Sequence, residues 1–114
     1  MTLSQATPEI PVPSVVAAMD YHLTRLGFAV EWHRPDDCIG VVAQGDCAVF
    51  FRETVQATAP ATLRIFVADL DHTFAEMTRL CADITAPIKV KPRGQRQFSV
   101  RDLNGHLFHF HHDV

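Results

Sequence analysis

Four histidines, His106, His109, His111 and His112, stand close together near the end of the sequence. A histidine tract can mark a metal site, and single imidazoles donate or accept hydrogen bonds at neutral pH. Side chains alternate between the two faces of a strand, so a strand here places only His109 and His111 on one face. We therefore expect surface histidines rather than a metal tract, and a hydrogen-bonding role for His109.

The direction in which His109 points depends on the hairpin formed by the last two predicted strands. A two-residue turn at Asn104-Gly105 would pair Val100 with His109 and mix apolar with polar side chains on one face. A three-residue loop with Gly105 in the left-handed region pairs Ser99 with His109 and separates the faces. This register places Phe98, Val100, Phe108 and Phe110 toward the helices, and Gln97, Ser99, Leu107, His109 and His111 on the other face.

The polar side chains of that other face are candidates for binding a ligand. His109 is able to hydrogen-bond a ligand carbonyl or amide, and the alternative is a histidine satisfied by Ser99 across the hairpin. Gln97 and His111 share the face and complete the polar set.

Three aromatic side chains are candidates for contact with a planar ligand. Trp32 ends the strand after the first helix, where its ring is able to stack on another ring, and packing in the core is the alternative. Phe50 and Phe51 are adjacent in one strand, so one faces the helix and the other the opposite face. The sequence leaves open which is which, and the outward ring fits either a ligand platform or a dimer contact.

Other functional classes lack their characteristic residues. We find no Ser-His-Asp or Cys-His arrangement and no glycine-rich phosphate loop. The 114 residues carry a net charge of −3, and the only basic run is Lys89–Arg96, so we expect no nucleic-acid partner. No apolar run approaches the roughly 20 residues that span a bilayer, and no signal peptide is evident. We therefore expect no membrane partner and a cytoplasmic location.

The three cysteines, Cys38, Cys47 and Cys81, are odd in number and have no C-x-x-C spacing. This pattern argues against a disulfide framework or a zinc ribbon. We expect reduced thiols that pack as small core residues.

The elements that position these residues occur twice. Thr24-Arg25-Leu26 ends one predicted helix, and Thr78-Arg79-Leu80 ends another 54 positions later. Ser14 and Asp69 are the expected N-caps, so each half reads as β-α-β-β-β. The predicted helices lie at about 15–26 and 70–81, and the predicted strands at about 10–12, 28–32, 38–43, 47–52, 62–67, 84–91 (a short strand and loop), 97–101 and 107–111.

The fold class expected from this order is α+β, with two tandem βαβββ modules. Module 1 covers about 8–53, a linker about 54–60 and module 2 about 61–112, within a single domain at 1–114. Each module is a curved sheet with its helix on the outer face. Pro11 and Pro13 make the first strand an edge strand or a segment exchanged with a partner.

The order and its motifs resemble the vicinal-oxygen-chelate superfamily, which includes glyoxalase I, extradiol dioxygenases and bleomycin-resistance proteins. The resemblance covers about residues 8–112. The residues that carry it are Leu26-Gly27-Phe28, Val67-Ala68-Asp69-Leu70, and the run from Phe98 to Leu107. That last run is similar to the family's F-x-V-R-D-P-x-G-x-L hairpin, with Leu103 in place of Pro.

The resemblance also implies where metal ligands would stand in a metal-using member. Those positions fall on Thr7 and Thr62 in the first strand of each module, on His109, and in the strand Cys47–Phe51. Only His109 among them binds a transition metal well, and zinc takes four ligands or three and a water. The chain is therefore similar to the metal-free, bleomycin-resistance-like branch, with no metal or cofactor expected.

The resemblance implies a cytoplasmic homodimer that sequesters an antibiotic in a groove at the dimer interface and confers drug self-resistance. The ligand would be an aromatic peptide or polyketide antibiotic, and the N-terminal strand is often exchanged in such dimers. The family's Trp-Gly before the last hairpin is Arg93-Gly94 here, which argues against bleomycin itself. One alternative is a metal-dependent lyase, isomerase or dioxygenase-type enzyme that uses His109 with a metal completed by a neighbouring chain. Another is a structural dimer without a ligand.

Overall fold

The computed structural model describes residues 1–56 and 58–113 and divides the chain into two compact units, Met1–Ala59 and Pro60–Val114. The first unit contains β1 (Glu9–Val12), α1 (Val15–Arg25), β2 (Ala29–Arg34), a 3-10 turn (Pro35–Asp37), β3 (Ile39–Gln44) and β4 (Cys47–Glu53). The second contains β5 (Thr62–Phe66), α2 (Leu70–Arg79), β6 (Asp83–Val90), β7 (Gln95–Arg101) and β8 (Leu107–Asp113). No helix in the described parts of the chain is long and apolar enough to cross a membrane.

The two units have the same topology. Their four-stranded sheets have the orders β1-β4-β3-β2 and β5-β8-β7-β6, which correspond strand for strand. In both sheets the first strand pairs in parallel with the last, and the other pairs are antiparallel. This confirms the predicted α+β class and the duplicated βαβββ order.

The repeated Thr-Arg-Leu motif forms the end of each helix. The hydroxyl of Thr24 donates to the backbone oxygen of Asp20 at 2.9 Å, and Thr78 donates in the same way to Phe74 at 2.7 Å. The backbone N–H groups of Leu26 and Leu80 close the last turns. At the start of each helix, the side chain of Ser14 accepts from the backbone N–H of Ala17, and that of Asp69 accepts from the backbone N–H of His72. Both residues are therefore N-caps, as predicted.

The first unit's core lies between α1 and one face of its sheet. Phe51 has no exposed surface there, and its ring contacts that of His22, with centroids 4.9 Å apart. Phe28 contacts the same imidazole from the residues after the helix. The other buried side chains of this core are Ile10, Val12, Val15, Ala18, Met19, Leu26, Val42 and Val49.

The second unit's core confirms the predicted hairpin register. Ser99 pairs with His109, and Gly105 has a φ of +83°, in the left-handed region. Phe98 is buried and contacts Phe74 of α2, with ring centroids 5.1 Å apart. The remaining apolar side chains of the register, Val100, Phe108 and Phe110, are also buried.

Two side chains of the Phe98–Leu107 motif, those of Asp102 and His106, hold the loop of this hairpin. One carboxylate oxygen of Asp102 accepts from the backbone N–H groups of Asn104 and His106, both at 2.9 Å. Nδ1 of His106 accepts from the backbone N–H of Ala61 at 2.9 Å, which ties the loop to the start of β5. The motif therefore fixes the hairpin and the pairing beside it.

Three predictions about this architecture are corrected or completed. Cys38 and Cys81 are exposed and Cys47 is only half-buried, so the cysteines do not pack as core residues. The predicted short strand before the last hairpin is an eight-residue strand, β6, interrupted by two register shifts. The proline-containing β1 is an edge strand that pairs with β4 of its own chain.

Cys81 and Gly27 occupy the same position after the two helices, with φ of +63° and +74°. A left-handed conformation costs a non-glycine residue about 1 kcal/mol, of which part is offset by the greater chain entropy of glycine when unfolded. We expect Cys81→Gly to raise the free energy of unfolding by up to about 1 kcal/mol, and Gly27→Ala to lower it by about 1 kcal/mol. Urea denaturation measures both, and a destabilised Cys81→Gly would contradict the assignment.

Candidate functional site

Each sheet has one face against its own helix and a second face away from it, which we call the far face. Phe51 lies on the helix side, so the alternation of β4 directs Phe50 to the far face of the first unit. Val41 pairs with Phe50 and Trp32 pairs with Val41, so these side chains share that face. The first far face is thus defined by Trp32, Arg34, Val41, Phe50 and Arg52.

A bulge in β2 directs Trp32 to the far face. The register of β2 against β3 shifts between Val30 and Trp32. Val30 pairs with Val42, whose side chain is buried on the helix side, and regular alternation would have put Trp32 on that same side. The extra residue, Glu31, reverses the direction of the tryptophan.

The first far face presents two half-buried aromatic rings, each with a guanidinium group over it. The rings of Trp32 and Phe50 meet edge to face, with centroids 5.6 Å apart. Arg34 lies 5.3 Å from the Trp32 centroid, and Arg52 lies 5.4 Å from the Phe50 centroid. Arg52 is also paired with Glu9 in an exposed ion pair. One face of each ring is therefore in contact with a guanidinium group.

The second far face carries a hydrogen-bonded chain of four side chains. Nη1 of Arg64 donates to Oε1 of Gln97 at 3.0 Å, and Nε2 of Gln97 lies 3.2 Å from Nδ1 of His109. Oγ of Ser99 lies 2.6 Å from the same nitrogen. Gln97 and Ser99 are only 7% and 4% exposed, whereas His109 is half-buried and Arg64 is exposed. The far face of the second unit is defined by Arg64, Gln97, Ser99, His109 and His111.

The chain of donors fixes the position of the imidazole proton. Arginine only donates, so the amide oxygen of Gln97 faces Arg64 and its NH2 group faces His109. Nδ1 of His109 is then an acceptor, and the proton of the neutral ring is on Nε2. Nε2 makes no hydrogen bond with the described residues. The contact between Ser99 and His109 therefore occupies one ring nitrogen and leaves the other as a donor.

The environment of His109 favours the neutral imidazole. Burial lowers the pKa of His109 below its usual value, and the positive charges of Arg64 and Lys91, with His111 nearby, lower that pKa further. His111 lies on the same face, where its ring contacts Phe66 and its buried Nδ1 has no hydrogen-bond partner among the described residues. The ring of His109 is thus an uncharged donor at neutral pH.

The structure places the ligand-binding residues predicted from the sequence in two groups, and it excludes one residue, Phe51, from both. Trp32 and Phe50 share the first far face, and Gln97, Ser99, His109 and His111 share the second. Phe51 is withdrawn as a correction, because a ring buried against α1 has no surface to offer a ligand.

Sequence reasoning missed Arg64, which the parallel pairing of β5 with β8 places opposite His109. The polar–apolar alternation of Thr62, Leu63, Arg64 and Ile65 already indicated its face. Arg34, Val41, Arg52 and Phe66 were also missed, and the same alternation within each strand is the signal that could have found the first three.

The donor set does not fit a metal ion. Across residues 1–56 and 58–113, no three His, Cys, Asp or Glu side chains come together in a group that could hold one. His109 has a guanidinium, an amide and a hydroxyl around it, and the positive charge of Arg64 disfavours a nearby cation. Thr7 is exposed before β1, and Thr62 is exposed at the start of β5.

The opposite directions of Phe50 and Phe51 predict different costs of truncation. Phe51→Ala is expected to lower the free energy of unfolding by about 3–5 kcal/mol, because it empties a fully buried site. The matched variant Phe50→Ala is expected to cost less than about 2 kcal/mol, because its ring is half-buried on the far face. Denaturant titration of both variants measures this, and equal costs would contradict the assignment of the two faces.

The lowered pKa of His109 predicts a pH-dependent stability. As the pH falls below about 6.5, His109 takes up a proton in the unfolded state before it does so in the folded state. The wild type therefore loses stability as the pH falls from about 6.5 to the lower pKa of His109 in the folded state. In His109→Gln this contribution is absent. The difference in unfolding free energy between the two proteins should be flat above pH of about 6.5 and change below it. A side-chain NMR titration that gives His109 a pKa above 6.5 would refute the assignment.

Comparison with solved structures finds the same architecture in other proteins. No family model and no curated protein sequence matches the chain. TioX from Micromonospora sp. ML1 is 27% identical, with a TM-score of 0.81 over 97% of this chain and 100% of that one. The bleomycin resistance determinant encoded on transposon Tn5 is 16% identical, with a TM-score of 0.85 over 97% and 98%. The bleomycin-binding protein from bleomycin-producing Streptomyces verticillus, complexed with copper(II)-bleomycin, is 24% identical, with a TM-score of 0.81 over 96% of each chain. The chain therefore has the vicinal-oxygen-chelate fold, as the bleomycin-resistance proteins do.

Proposed function

We propose that this protein binds a small-molecule antibiotic with a planar aromatic part and protects its host by sequestering it. The single observation that carries the proposal is the aromatic pair on the first far face. Trp32 and Phe50 lie outside the helix-covered core, and a bulge reverses the direction of the tryptophan. Bulges next to binding sites commonly re-aim one side chain in this way.

The aromatic pair supplies enough surface for useful affinity. A planar ligand that removes roughly 150 Å2 of aromatic surface from water gains about 4 kcal/mol at ~25 cal/mol per Å2. The guanidinium groups of Arg34 and Arg52 already lie over the two rings, so flat delocalised groups fit there. A ligand ring would take the place of a guanidinium or stack beside it. Binding of this kind requires no bond to be made or broken.

Likeness to solved structures supports an antibiotic as the kind of ligand. The Streptomyces verticillus protein, which shares the fold, is a bleomycin-binding protein in complex with copper(II)-bleomycin. From the family resemblance of the sequence we also propose a cytoplasmic homodimer with its ligand in a groove at the subunit interface. The edge position of β1 leaves one side of that strand without a partner strand among the described residues, which suits pairing or exchange across a dimer.

A panel of aromatic peptide and polyketide antibiotics, with bleomycin included, tests the proposal by isothermal titration calorimetry. Trp32 is the chain's one tryptophan, so its fluorescence reports directly on the first far face. We expect saturable binding of at least one compound, with fluorescence quenching. Trp32→Phe is expected to weaken it several-fold, and Trp32→Ala and Phe50→Ala by roughly 10- to 100-fold, which is about 1.4–2.8 kcal/mol.

The matched control is Val30→Ala. Val30 is an exposed residue of the same strand, but it precedes the bulge and lies on the sheet face opposite to that of Trp32. This variant should leave the affinity unchanged. Sedimentation of the free protein should give a dimer. Absence of saturable binding across the panel would refute sequestration. Stoichiometric Zn, Ni, Mn or Fe in the purified protein, with turnover of a bound compound, would favour the metal-dependent enzyme instead.

A further inference from the structure

The second far face is positively charged although the chain as a whole carries a net charge of −3. Arg64 lies opposite His109 through the pairing of β5 with β8. Lys89 lies opposite Gln97 through the pairing of β6 with β7. Lys91 is near enough for its charge to act on the His109 imidazole. Three cationic side chains therefore surround the polar chain of this face.

Arg64, Lys89 and Lys91 have no carboxylate partner among the described residues, unlike four arginines elsewhere in the fold. The arginines at positions 52, 79, 96 and 101 each form an ion pair with Glu9, Glu76, Asp71 and Asp83, respectively. The acidic groups at the margins of the second far face are Asp83, already paired with Arg101, and Asp113, which accepts from Gln95. The centre of the face holds positive charge and a neutral imidazole, and no carboxylate from residues 1–56 or 58–113 pairs with Arg64, Lys89 or Lys91.

The donor at the centre of this face is already oriented. Arg64 orients Gln97, and Gln97 and Ser99 occupy Nδ1 of His109, so Nε2–H is the group left to meet a ligand. Because these contacts already hold the imidazole ring, its Nε2–H loses little conformational entropy when a ligand binds. The same arrangement has no acceptor to offer a cationic group at this point, because arginine and lysine side chains only donate.

We propose that the second far face binds an anionic oxygen of a ligand, a carboxylate or phenolate, with Nε2–H of His109 as the donor and Arg64 and Lys91 as the compensating charges. This goes beyond the proposed function, because the oxyanion site lies within the second unit and does not depend on the aromatic pair of the first.

The proposal predicts a specific effect of the ligand on His109. A bound anion favours the protonated imidazole and offsets the positive charges of Arg64, Lys91 and His111, so the pKa of His109 rises on binding. A neutral ligand of the same shape leaves that pKa low, because it brings no charge. The hydroxyl of Ser99 can turn to accept from a protonated Nδ1, whereas the NH2 group of Gln97 then loses Nδ1 as its acceptor.

Three naphthalene probes with the same ring test this: naphthalene-2-carboxylate, naphthalene-2-carboxamide and naphthalene-2-methylammonium. We expect the carboxylate to bind at least 10-fold more tightly than the amide, and the ammonium compound to bind most weakly. Affinities come from NMR titration of the full chain, and 15N shifts of the imidazole give the tautomer and the pKa of His109. The free protein should show a protonated Nε2, and only the carboxylate should raise the pKa.

Two variants separate charge from structure. Lys91→Gln removes a cation without touching the hydrogen-bonded chain and should weaken carboxylate binding several-fold while leaving amide binding unchanged. Arg64→Gln should weaken it further, and Arg64→Lys should restore part of the loss. Arg79→Gln, on the surface of α2 and away from the sheet, is the matched control and should change nothing.

The outcomes distinguish this proposal from the proposed function. Carboxylate binding that raises the pKa of His109, in a protein that binds no antibiotic of the panel, would support the oxyanion site and refute sequestration. Antibiotic binding through Trp32, with amide and carboxylate probes bound equally or with a proton on Nδ1 of free His109, would overturn the oxyanion site alone.

Discussion

The register of the β7–β8 hairpin is the constraint on which the second unit depends. A shift of one residue would send its phenylalanines outward and its histidine inward. The loop prevents that shift, because Asp102 holds two backbone N–H groups of the turn and His106 holds the backbone of Ala61. The phenylalanines then pack against α2, and His109 is carried to the far face. A structural motif thus determines where the candidate chemistry lies.

The duplication gives one architecture two different far faces. Both units share strand order, helix caps and the Thr-Arg-Leu helix end. The first unit presents aromatic rings with guanidinium groups over them, whereas the second presents a chain of hydrogen-bonded polar side chains flanked by cations. The helix-facing positions stay apolar because they form each core, so the far faces are where the two copies could diverge in chemistry.

In the second unit, the hydrogen bonds that orient Gln97 also determine which nitrogen of His109 carries the proton. Arg64 only donates, so the amide oxygen of Gln97 faces Arg64 and its NH2 group faces Nδ1 of His109. The partners of Gln97 and of Nδ1 of His109 together define one arrangement of amide, hydroxyl and imidazole. Burial and positive charge together lower the pKa of His109 and favour the neutral imidazole that presents the Nε2–H donor.

The sequence by itself determined the duplicated βαβββ order, the helix caps and the pairing of Ser99 with His109, because caps, turns and period-two alternation are local properties. It did not determine which of Phe50 and Phe51 leaves the core, since alternation alone does not say which face the helix covers. The direction of Trp32 required the bulge at Glu31, which exists only through the pairing of β2 with β3. The bond from Arg64 to Gln97 required β5 to lie beside β8, which lies at the other end of the unit's sequence. The tertiary structure decided these features because each depends on strands that meet only when the sheet has formed.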